Sequence, residues 1–139
     1  MVDAERALAR LARLDPLIEQ LDGVRDGGLD AYLAHGEIRA ATERWLQLAL
    51  QICIDVGAQL AAELSVRAPS SYAEVFTNLA SDGHLPKALA GRLVEAAKLR
   101  NLLIHLYLDV DDRKVFAALE RLDDLREFAR LAQELADSN

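Results

Sequence analysis

From Ile38 onward, apolar residues recur at alternating intervals of three and four: Ile38, Ala41, Trp45, Leu48 and Ile52. That spacing keeps the side chains on one stripe of an α-helix. Leu46, Leu50, Cys53, Leu60 and Leu64 form a second apolar face of the same segment. A helix that is apolar on two sides has to be buried between neighbours. A chain containing one, here expected over roughly Glu37 to Leu64, is therefore pushed towards a bundle built around it. The next stripe position after Ile52 is Asp55, an acid where a hydrophobe belongs. An ionised carboxylate there is costly unless it is paired. Two readings are open: Asp55 tilts into water or caps a loop, or it holds a cation from a neighbouring helix.

The flanking segments read as further helices. The first is expected from an N-cap at Asp3 towards Gly23, with Leu8, Leu11, Ile18 and Leu21 inward and Pro16 kinking or splitting it. Gly23, Gly27 and Gly28 mark a break, and LDAYLAH forms a short helical turn. Ser70 or Ser71 opens the next helix, SYAEVFTNLA, and Glu74 completes a capping box if Ser71 is the cap. Asp82-Gly83-His84 closes it, and Pro86 suits the first position of another helix. That helix runs through Leu89, Leu93, Ala96 and Ala97 into KLRNLLIHLYLDV. A last helix continues from the Asp109–Asp112 break to about Ala136. Its apolar residues Phe116, Leu119, Leu122, Leu125, Phe128 and Leu131 recur every third position, so they spiral around an α-helix. Its two halves must bury different faces, against two neighbours or against another subunit. No strand pattern occurs. The expected architecture is all-α, an up-and-down bundle of four to five helices forming one domain over residues 1–139.

The chain carries a net charge of −7, which disfavours a general nucleic-acid binder. The distribution is uneven. Between Pro86 and Leu108 stand Lys87, Arg92, Lys98 and Arg100 against Glu95 alone. This basic helix is the one obvious phosphate-facing surface. The N-terminus lacks the uninterrupted apolar segment of a secretory signal, and the sequence shows no apolar run near the roughly 18 residues of a membrane span. The single cysteine, Cys53, allows no intramolecular disulfide. A cytoplasmic protein without membrane attachment is expected.

Signatures of phosphate-binding loops, zinc proteases and serine hydrolases are missing, and the three histidines are scattered. The chemistry is expected to need neither metal nor cofactor. What remains is R-N-L-L-I-H-L-Y, Arg100 to Tyr107. Arginine offers a permanent cation with a planar fork suited to phosphate, and histidine exchanges a proton near neutral pH. RNA contains its own nucleophile, the 2′-hydroxyl, so cleaving it requires only a base and a cation. On a regular helix Arg100 and His105 point about 140° apart and flank a groove, while Tyr107 returns to within about 20° of Arg100.

The pattern R-x-x-x-x-H-x-Y, carried by Arg100, His105 and Tyr107, resembles the signature of HepT toxins, a branch of the HEPN ribonuclease superfamily. Asn101 matches the polar residue that commonly comes after the arginine. IRAATERWLQLALQICIDVGAQL, including Asp55, resembles the family's long second helix; SYAEVFTNLASDGHLP and LDVDDRKVF resemble its flanking layout. The resemblance implies a metal-independent endoribonuclease toxin with Arg100, Asn101 and His105 as its active centre and Asp55 in a supporting place. It also implies a homodimer with its clefts near the interface, and a minimal nucleotidyltransferase antitoxin that neutralises the toxin by transferring AMP onto Tyr107. The alternative is a non-catalytic HEPN-type module that binds nucleotide or RNA, or docks a nucleotidyltransferase. A plain helical dimerisation domain is a third reading, but a scaffold has no need of both Arg100 and His105.

Overall fold

The computed structural model describes residues 3–105 and 110–138. These fold into an all-α bundle with eight α-helices among the described residues: α1 (Ala4–Ala12), α2 (Leu14–Gly27), α3 (Leu29–Ala34), α4 (Gly36–Glu63), α5 (Tyr72–Ser81), α6 (Lys87–His105), α7 (Asp112–Ala118) and α8 (Leu122–Asp137). The number exceeds the four to five expected because two expected helices are interrupted. The first breaks at Arg13, three residues before Pro16, which leaves the proline in the first turn of α2, where its missing N–H is harmless. Gly23, read as a break, lies inside α2, which continues to Gly27.

The last helix is divided by a 3₁₀ turn over Leu119–Arg121. This explains the three-residue spacing. A 3₁₀ turn has three residues per turn, so Leu119 and Leu122 stay on the same inner side. Beyond it the buried set becomes Leu122, Leu125, Phe128, Ala132 and Ala136, an ordinary helical stripe, and Leu131 moves to a half-buried position. The two halves do meet different neighbours: α7 packs on α3, and α8 on α1, α4 and α6.

Helix α4 is the centre, as its two apolar faces require, but the faces are unequal. The fully buried side carries Leu46, Ala49, Leu50, Cys53, Ile54, Val56 and Leu60. The regular stripe that defines the helix in the sequence lies at the rim instead. Ile38 is 37% exposed, and Ala41, Trp45, Leu48 and Ile52 are half-buried. By length and composition α4 could cross a membrane, yet over half of its most apolar window is buried inside the bundle. Burial also pushes the Cys53 thiol up to about 12, so the residue packs as a small hydrophobe.

Two helix ends set the path of the chain into its C-terminal half. Helix α4 stops at Ser65, whose φ of 58° lies in the left-handed region, with Val66 N–H donating to Ala61 C=O at 2.8 Å. Helix α5 stops in the same way at Gly83 (φ 81°), with His84 N–H on Leu79 C=O at 2.8 Å and Gly83 N–H on Ala80 C=O at 3.0 Å. This six-to-one and five-to-two pair ends a helix and turns the chain sharply. It folds α5 and α6 into an antiparallel hairpin, placing the start of α5 beside the end of α6. Ser71 caps α5, accepting from Glu74 N–H at 3.3 Å. The expected capping box is displaced by one residue, because the Glu74 carboxylate returns to the N–H and hydroxyl of Ser70. Those bonds hold the Glu74 carboxyl below its usual range.

Gly57 fixes the distance between α4 and the hairpin. A methyl group there would stand 2.9 Å from Val75 Cγ1 and 3.3 Å from Phe76 Cε1, both buried, with Phe128 Cζ at 3.7 Å. Phe76 and Phe128 already meet edge to face at 5.6 Å, leaving little room to yield. Gly57→Ala should therefore destabilise the fold by about 1–2 kcal/mol, since overpacking outweighs the helix-propensity gain. Gly91→Ala, on the exposed side of α6 with nothing within 4 Å, should stabilise by about 0.5–1 kcal/mol. Thermal unfolding of both variants should move the midpoint in opposite directions; equal shifts would show that Gly57 is not a packing constraint.

Candidate functional site

The hairpin brings the sequence-predicted residues to one place. Arg100, Asn101 and His105, in the last turns of α6, form one wall of an open groove of about 550 Å³. Pro69, Ser70, Ser71 and Tyr72 at the entry to α5 form the other, with Val75 and Ala58 beneath. Arg100 and His105 flank the groove, in keeping with their angular separation on a regular helix. Tyr107 lies outside the described residues.

The Arg100 guanidinium is gripped from three sides. Its Nε donates to Gln51 Oε1 at 2.7 Å, and one terminal nitrogen donates to Asn101 Oδ1 at 3.1 Å. Its central carbon sits over the Tyr72 ring, 4.9 Å from the centroid, a cation–π distance. Each of these partners is uncharged. The grip fixes the direction of the fork, and among the described residues no carboxylate pairs with the cation, which suits a group that is to receive an anion.

Asp55 enters at one remove. It is exposed, as the first of its two readings had it, and it accepts from Gln51 Nε2 at 2.7 Å. The amide of Gln51 thus faces Asp55 with its nitrogen and Arg100 with its oxygen. Asp55 does not reach the cation across the helix interface itself; it sets the orientation of the amide that does. Gln51 stands one helical turn before Asp55, a spacing at which side chains meet. Gln51 and Tyr72 are the two site residues that sequence reasoning passed over. The signal for Gln51 was that spacing; for Tyr72 it was a large aromatic at a helix start where nothing called for burial.

The basic character of α6 is divided between two faces. Arg92 pairs with Asp124 at 2.8 Å and Lys98 with Glu95 at 3.2 Å. Both line a separate, largely apolar groove bordered by α4 and α8. At the His105 groove the fixed cation of α6 is Arg100. Among the described residues no group of three His, Cys, Asp or Glu side chains is placed to hold a metal ion.

With this geometry in place, known proteins can be set beside it. The family model for HepT-like ribonucleases matches residues 11–132. A curated relative, the tRNA nuclease HepT of Aphanizomenon flos-aquae, is 32% identical over 110 residues, covering 79% of this chain and 75% of that protein. Among solved structures, a tri-AMPylated HEPN toxin of Shewanella oneidensis in complex with MNT antitoxin superposes with a TM-score of 0.83 at 20% identity, covering 94% of this chain and 97% of that one. A cytosolic protein of unknown function from Bacillus subtilis, YutE, gives a TM-score of 0.79 at 18% identity over 96% and 90%. At these identities the two structures establish likeness of fold.

The grip on Arg100 is measurable without reference to any reaction. In proton–nitrogen spectra its Nε–H should exchange slowly with water. In Gln51→Ala that exchange should accelerate about tenfold or more, because a charge-assisted bond is lost, while the backbone spectrum of the bundle stays in place. Unchanged exchange would mean that Gln51 does not hold the guanidinium in solution.

Proposed function

The chain belongs to the HepT-like ribonuclease family, and we propose that it is the RNA-cleaving toxin of a toxin–antitoxin pair, with Arg100, Asn101 and His105 as its active centre. The observation that carries this reading is the convergence of a fixed guanidinium, with no carboxylate paired to it among the described residues, and an exposed imidazole on one open groove. RNA laid in it would put a phosphate on the free edge of Arg100. His105 takes the proton of the adjacent 2′-hydroxyl, and the oxygen so freed bonds to phosphorus. The bond to the 5′-oxygen breaks, that oxygen takes a proton from water, and the His105 imidazolium returns its proton to the hydroxide left behind. Arg100 stabilises the extra negative charge on the phosphorane. The products are a 2′,3′-cyclic phosphate and a 5′-hydroxyl, and the balance requires no metal or redox partner. Asn101, accepting from a terminal nitrogen of Arg100, helps fix the direction of the fork. Transfer RNA is the first substrate to assay, since the curated relative is named a tRNA nuclease.

The partner of this reading is a minimal nucleotidyltransferase antitoxin, of the kind seen with the AMPylated Shewanella toxin. AMP on Tyr107, seven residues after Arg100 in the motif, would add a phosphate and a nucleoside that block RNA by charge and occupancy without refolding. The toxin acts as a homodimer in the cytoplasm and folds as one domain over residues 1–139.

Purified chain should cleave RNA in excess EDTA and leave cyclic-phosphate ends. His105→Ala should lower kcat about a hundred- to ten-thousand-fold with the melting temperature retained. Full activity in that variant refutes the catalytic assignment, and loss in EDTA restored by a divalent ion refutes the mechanism; a folded wild type without any nuclease activity favours the docking-module alternative.

Co-expression with the antitoxin should add mass in steps of roughly 329 Da, the AMP group. Tyr107→Phe should gain none and escape neutralisation. A Phe variant modified as well as the wild type would remove Tyr107 from this role.

A further inference from the structure

We propose that Tyr72 is the platform on which a nucleobase next to the scissile phosphate stacks, so that the groove reads its substrate as unpaired nucleic acid. The inference rests on the ribonuclease reading above and gives the site its first base-binding residue.

Tyr72 is 47% exposed, one of three large hydrophobic side chains in that state among the described residues, with Ile38 and Leu102. Of the three it alone lines the groove of Arg100, Asn101 and His105. Its backbone is held firmly: it is the first residue of α5, directly after the Ser71 cap and the Ser70–Glu74 clasp. The ring is therefore presented to the groove by a rigid element, with about half of its surface open to water.

A purely structural task accounts for little of this. Tyr72 lies against the Arg100 guanidinium at 4.9 Å, but Arg100 is already oriented by Gln51 at Nε and by Asn101 at a terminal nitrogen. An aromatic ring is not needed for that orientation. What it adds is a flat, electron-rich surface beside the cation. Single-stranded RNA is recognised by such pairs: unstacked bases lie on aromatic rings and on arginine planes while the phosphate meets the charge. With a phosphate on the free edge of Arg100, the base of the same or adjoining nucleotide is within reach of the ring. A base held in a duplex has its faces covered by its neighbours and offers none to Tyr72.

The test uses a short fluorescein-labelled oligoadenylate with 2′-O-methyl groups throughout, which binds without being cleaved, and a matched strand with abasic positions. Fluorescence anisotropy is read for wild type, Tyr72→Phe, Tyr72→Trp and Tyr72→Leu. The Phe and Trp variants should bind the oligoadenylate as tightly as wild type or more tightly. Tyr72→Leu should bind it about tenfold more weakly, with a clearly smaller loss on the abasic strand. Equal losses on both strands, or no loss on either, would overturn the platform. The parent reading is scored separately, on unmodified RNA. A wild type that shows the Tyr72-dependent binding but cleaves no RNA refutes the ribonuclease and keeps the platform. A Tyr72→Leu variant that cleaves with unchanged KM keeps the ribonuclease and refutes the platform.

Discussion

The seating of α4 against α5 at Gly57 is the contact on which the remaining geometry depends. With no side chain at that position, Val75 and Phe76 come down onto the α4 backbone and Phe128 of α8 closes the layer. Because α5 and α6 turn as one hairpin about Gly83, the depth of that seat also fixes where the end of α6 meets α4. Gln51 lies less than two turns before Gly57, and it is there that Arg100 arrives. A packing constraint in the core is thus converted into the orientation of a cation at the surface.

The chain solves an electrostatic problem in an acidic protein. Several of its arginines are matched with carboxylates: Arg92 with Asp124, Arg126 with Asp22 and Asp123, Arg130 with Glu127 and Glu134. Pairs of this kind, largely exposed, contribute little to stability and cancel charge. Arg100 is instead held by two amide oxygens and a ring. The carboxylate of Asp55 is kept one residue away, where it polarises the Gln51 amide without taking the charge for itself. Replacing the amide relay by a direct ion pair would give a comparable structure with a much poorer anion site.

Much of this was legible in the sequence, and the reasons for the rest are specific. The all-α class, the long α4, the Asp3 and Ser71 caps and the Gly83 turn arise from local rules that depend on a few neighbouring residues. Arg100 and His105 stood out as site candidates because their chemistry is rare in an apolar helix, and Asn101 joined them through the family resemblance. The stripe from Ile38 to Ile52 misled on depth, since periodicity gives a face but not what covers it; the true inner side is one residue out of step, at Leu46, Ala49 and Cys53. The 3₁₀ turn at Leu119 was visible only as an anomalous period. Gln51 and Tyr72 left only weak local signals because their roles arise between helices, from positions 49 residues apart in one case. Tyr107, which the motif singles out, lies outside the described residues.

The burial of Cys53 gives the molecule a property unrelated to catalysis. It is the chain's only thiol, fully enclosed, and its thiolate form is suppressed at any ordinary pH. Since the thiolate is the reactive species, the native chain is silent towards maleimides and iodoacetamides. A cysteine introduced anywhere on the surface would be the sole attachment point for a dye or spin label. Distances between labelled helices could then be tracked without first stripping the protein of its own sulfur, and with α4 left in its native packing.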